Sequence, residues 1–125
     1  MFKKSLPVLS LSLLLAGCAS QLTNLTPQQQ TRNANNLYPV EVAFNSSQQT
    51  VRWQTIKPKI VVGNEFYEMR ATPLMTNRWE GLIPVPPGTS IVHYRYKLDF
   101  EYNRMGKPGS DTAISSAYTL RIVNQ

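Results

Sequence analysis

From Val92 to Tyr102 the chain alternates apolar and polar side chains without a break. Val92, Tyr94, Tyr96, Leu98, Phe100 and Tyr102 share one face of an extended backbone; Ile91, His93, Arg95, Lys97, Asp99 and Glu101 share the other. A helix would scatter both sets around its circumference. A strand with an aromatic face on a core and a charged face in water satisfies both at once. The spacing predicts a strand over 91–102, long enough to bend or cross between sheets.

The same period recurs along the chain, broken by Pro, Gly and Asn. Strands are expected at 38–44 (Val40, Val42 and Phe44 on one face), 49–55 (Val51 and Trp53 against Arg52 and Gln54) and 59–63. Gly63-Asn64 opens a hairpin into 66–71, with Tyr67, Met69 and Ala71 on one face. A further strand covers 78–85, where Trp79, Gly81, Ile83 and Val85 alternate before Pro86-Pro87-Gly88 ends it. A last one at 117–123 turns Tyr118, Leu120 and Ile122 inward. Asn103 to Ser116 reads as a long loop. About seven short strands with regular turns predict an all-β antiparallel sandwich over residues 37–125.

The N-terminal part follows other rules. Lys3 and Lys4 precede an apolar run from Leu6 to Ala16, shorter than the roughly 20 residues of a membrane-spanning helix. Leu15-Ala16-Gly17-Cys18 closes that run and resembles the bacterial lipobox. The resemblance implies cleavage between Gly17 and Cys18, acylation of Cys18 and a lipid-anchored place in the cell envelope. Ala19 follows the cysteine, which in a Gram-negative cell favours the outer membrane. Residues 1–17 are then a signal peptide. The Gln/Asn/Thr-rich stretch to Asn36 has almost nothing apolar to bury, so 18–36 reads as acylated cysteine plus flexible tether, with a span of about 20–25 Å. Cys18 is the only cysteine, so the mature domain forms no internal disulfide. Losing Lys3 and Lys4 lowers the formal charge from +6 to +4, scattered rather than in runs.

The whole chain resembles small bacterial lipoproteins with one immunoglobulin-like domain. Trp79 to Phe100, WEGLIPVPPGTSIVHYRYKLDF, also resembles part of a glycogen-binding-type module of the early-set immunoglobulin-like sandwiches. That likeness rests on Trp79, Leu82–Val85, Pro87-Gly88, Tyr94, Tyr96 and Lys97, and it implies a sandwich that could hold a glycan. Glu101-Tyr102-Asn103-Arg104 stands where such modules carry an Asp-Gly turn and a second sugar-stacking tryptophan.

Chemistry-bearing groups are few. His93 is the only histidine and lies on the polar strand face; no Gly-x-Ser-x-Gly elbow supplies a nucleophile, and Ser110-Asp111 reads as a turn pair on the loop. The chain is therefore expected not to be an enzyme. Neither a cofactor nor a metal site is expected, although Asp99 and Glu101 share a face that could meet a hard cation. No nucleic-acid motif is present. Trp53, Trp79, Tyr38 and Tyr67 could form an aromatic platform for a sugar ring. Register favours both tryptophans as core plugs instead, Trp79 in phase with Ile83 and Val85 and Trp53 with Val51. Arg104 and Lys107, with Gly106, Pro108 and Gly109, make the 103–116 loop a candidate surface for a protein or anionic polymer. The expected function is an anchored, non-enzymatic domain that binds or scaffolds an envelope protein. The alternative is a carbohydrate-binding module. The oligomeric state is left open.

Overall fold

The computed structural model describes residues 21–46 and 50–124; the signal peptide, Gly17 and Cys18 lie outside them. Ten strands follow one another: β1 (Gln21–Asn24), β2 (Gln29–Thr31), β3 (Leu37–Asn45), β4 (Val51–Val62), β5 (Glu65–Glu68), β6 (Arg70–Ala71), β7 (Arg78–Pro84), β8 (Ile91–Tyr102), β9 (Gly109–Ile114) and β10 (Tyr118–Val123). They form two sheets, β1-β3-β7-β6 and β2-β10-β8-β4-β5, with β9 added to β8. This is the immunoglobulin-like arrangement, in which strands A, B, E and D face strands C, F and G. All pairings are antiparallel except β2 on β10, which is parallel.

The period-two faces meet between the sheets. Tyr38, Val40, Val42 and Phe44 of β3 are buried, as are Val92, Tyr94, Tyr96, Leu98 and Phe100 of β8. Phe44 and Phe100 touch across the sandwich with ring centroids 5.4 Å apart. With no disulfide available in the domain, such contacts join the layers. Gly81 marks a close approach between the layers: a Cβ there would lie 2.8 Å from Ile60 Cδ1.

Several sequence expectations are corrected. The segments 49–55 and 59–63 are one strand, β4, carrying a bulge. Register slips from Arg52↔Glu101 to Lys57↔Asp99, and Thr55 closes the gap. Its Oγ1 accepts from Glu101 N–H (2.8 Å) and donates to Arg52 O (2.6 Å). Pro58 sits just past the bulge and offers its carbonyl to Met69 N–H. The expected strand 66–71 divides at Met69, because β5 pairs with β4 whereas β6 pairs with β7. Asn45-Ser46 leads from β3 in one sheet toward β4 in the other. The long loop shortens to 103–108, because residues 109–114 pair with β8 as β9. Ser110 and Asp111 are thus strand residues. β9 and β10 act as one interrupted strand: at the break, Ser115 N–H donates to Tyr96 O (3.0 Å) and Tyr96 N–H to Ser115 Oγ (2.8 Å).

The largest correction concerns the tether. β1 and β2 lie inside 18–36, one on each sheet. Hydrogen bonds hold this segment where apolar burial alone could not. Tyr96 Oη donates to Asn24 Oδ1 (2.6 Å), Asn24 Nδ2 to Tyr94 Oη (2.9 Å), and Glu41 N–H to Thr26 Oγ1 (2.8 Å). Arg32 then fastens the end of the strap, donating to Pro86 O and Thr89 O.

Tyr96 is wholly buried, and that burial pushes its phenol well above the ordinary tyrosine range, only partly offset by a hydrogen bond with Thr26. Below pH 10 both folded and unfolded chains keep this proton. Above it the unfolded chain loses the proton first, so stability falls as pH rises, by at most about 1.4 kcal/mol per pH unit from this group. Urea midpoints measured across pH 9 to 11.5 should therefore fall more steeply in the wild type than in Tyr96→Phe. Equal slopes would show that Tyr96 ionises freely.

Candidate functional sites at the two ends of the sandwich

The structure does not assemble the aromatic platform that Trp53, Trp79, Tyr38 and Tyr67 could have formed. Tyr38 is a core residue whose hydroxyl accepts from Asn33 N–H (3.1 Å). Tyr67 is half-buried on β5. Trp79 is 7% exposed, which rules it out as the surface tryptophan of a sugar site. Trp53 is the most exposed of the four, at 41%. It lies parallel to Trp79 across the sheets (centroids 6.4 Å, planes 4° apart) and tilts against Phe44 at 5.7 Å. One indole is core and the other caps it.

His93 bonds Thr119 across the β8–β10 pair (Nδ1 to Oγ1, 3.0 Å). Asp99 accepts from Thr112 Oγ1 (2.7 Å), and Glu101 pairs with Arg52 at 3.2 Å. Among the described residues no group of three or more metal-ligating side chains comes together.

Two regions stand out, the first missed from sequence and the second seen there only as its basic loop. The first lies at the Leu37 end of β3. There β1 no longer accompanies β3, and β6 covers only Trp79 and Glu80 of β7. The sheet narrows to the β3–β7 pair, and a groove of about 890 Å³ opens over it. Leu25 and Pro27 line one side, Pro39 and Leu82 the floor, Glu68 and Arg70 the other side. Leu37, paired with Pro84, continues the exposed apolar strip. Thr72 N–H donates to Arg78 O (3.0 Å), so alternation turns Leu82 N–H and C=O to that same edge, beyond the last β6 residue. Three carboxylates line the groove (Glu41, Glu68, Glu80) with one guanidinium, Arg70, which pairs with Glu80 at 3.1 Å; Arg78, outside the lining, stands 3.9 Å from Glu41. In a chain of formal charge +6 this is an acidic, apolar patch. The available signal was phase: Leu37 and Leu82 are apolar at positions where their strands should face water.

The second region is the opposite end. The start of β1 pairs with the end of β3 (Gln21↔Asn45). Phe44 N–H donates to Asn77 O and Asn103 N–H to Thr50 O, drawing the 72–77 and 103–108 connections to the same end. Leu74 and Met105 at their tips are fully exposed. Arg104 and Lys107 stand in the second loop, where Arg104 Nε donates to Lys107 O (3.3 Å). They are not brought against Trp53, Trp79, Tyr38 or Tyr67 in one aromatic–basic site.

No known protein family matches the chain, the glycogen-binding type included, and no curated protein matches it. Among solved structures the chain is similar to murine CRIg, at 10% identity and a TM-score of 0.43, over 84% of this chain and 98% of that one.

Proposed function

We propose that this is a lipid-anchored, non-enzymatic envelope protein whose sandwich receives an extended segment of a protein partner in the groove over β3 and β7. The observation that carries the reading is the open β7 edge at Leu82 beside an apolar, carboxylate-rimmed floor. Main-chain bonding to an exposed edge supplies affinity, and alternate side-chain pockets supply selectivity. The rim favours an occupant with basic residues between apolar ones. The lipobox at Leu15–Cys18 supports anchoring in the membrane through Cys18.

The full chain in detergent should bind a short peptide alternating valine and lysine, and bind the valine–glutamate counterpart at least tenfold more weakly. Leu82→Lys should abolish the preference, and added salt should weaken binding. Indifference to peptide charge, or shifts mapping away from β7, would refute the groove. Glycan binding remains the second reading because Trp53 offers one outward indole face. Soluble glucans or peptidoglycan fragments that shift its fluorescence would replace the protein partner with a sugar.

A further inference from the structure

We infer that the end of the sandwich bearing the 72–77 and 103–108 loops rests on the bilayer and forms a second, non-covalent membrane contact beside the lipid. The inference builds on the anchoring proposed above. Its own support is where the structure puts side chains that sequence pattern leaves unconnected.

Thr72 to Met75 form a turn with Pro73 at its second position, closed by Met75 N–H to Thr72 O (3.1 Å). Its third position has φ +65° and is filled by Leu74. Turns of this form normally place glycine there, because a branched side chain is strained in the left-handed region. Here an apolar side chain stands fully in solvent. Met105 does the same at the tip of the second loop, next to Gly106 (φ +97°). Met75 is partly exposed behind Leu74, and Trp53 lies two residues into β4 from this end.

Charge agrees with this apolar tip. The connections 46–50, 72–77 and 103–108 contain Arg104 and Lys107 and no Asp or Glu. Apolar tips backed by basic side chains fit an anionic bilayer, the tips entering the acyl boundary and the cations meeting the headgroups. The chain path supplies the third argument. Gln21 opens β1 at this same end, and Cys18 stands three positions before it. Even fully extended, that segment reaches only about 10 Å. A lipid on Cys18 therefore brings these loops, and not the groove, to the membrane.

The test uses the acylated chain in vesicles of phosphatidylethanolamine and phosphatidylglycerol with brominated acyl chains. Once Cys18 is acylated, Leu74→Cys, Met105→Cys and, at the far end, Leu82→Cys each supply one thiol for an environment-sensitive fluorophore. Labels at 74 and 105 should shift to the blue and be quenched several-fold more than the label at 82. Adding Arg104→Glu and Lys107→Glu should remove most of that difference while the protein still floats with the vesicles. Flotation with all three labels in water would overturn the bilayer contact and leave the anchor standing. A wild-type chain that does not float would overturn both.

Discussion

Deleting residues 21–32 is expected to unfold the domain or cost at least about 5 kcal/mol, a large share of the stability of a chain this small. A flexible tether could be removed with no change in the urea midpoint. Here the deletion strips β1 from β3 and β2 from β10, exposing an edge on each sheet. It also leaves the Tyr96 hydroxyl, the Tyr94 hydroxyl and Glu41 N–H without the partners supplied by Asn24 and Thr26. Each such group costs about 1–3 kcal/mol when left unsatisfied away from water. Circular dichroism across a urea titration of the full chain and the deletion decides the matter, an unchanged midpoint being the contrary result.

The two tryptophans should separate sharply under the same titration. Trp79→Ala is expected to cost about 3–5 kcal/mol, the usual range for emptying a buried aromatic site. Trp53→Ala should cost about 1–2 kcal/mol, since Trp53 is already 41% exposed and contributes mainly its stacking on Trp79 and its edge on Phe44. Equal losses would mean that both indoles are core.

The sandwich was legible in the sequence because one buried face forces period two. Val92 through Tyr102 matches β8 residue for residue, and Trp79, Ile83 and Val85 are buried as their register requires. The ten strands in place of about seven trace to local chemistry. Thr55 accommodates a bulge that reads as a break, Ser115 interrupts one strand into two, and Met69 carries the chain between sheets. The strap was illegible for a different reason. Asn24 and Thr26 are polar residues in a polar stretch, and their worth depends on Tyr94 and Tyr96, some 70 positions away. Arg104 and Lys107 were singled out for their charge in a loop, whereas Leu74 and Met105 at the same end were not. Single apolar residues in turns carry no periodicity.

The strand β3 also sets a height. Gln21 pairs at its Asn45 end, while the groove opens at its Leu37 end. Six residue steps separate Asn45 from Pro39 on the groove floor, a stand-off of about 20 Å at about 3.3 Å per residue. Under the proposed anchoring the sandwich works as a rigid pedestal and not as a bead on a string. Its receiving edge sits at a fixed altitude and in a fixed attitude, so the partners it meets are those whose own segments come within that distance of the lipid. Lengthening the stretch between Cys18 and Gln21 would then blur which partners it can reach without altering a single contact in the groove.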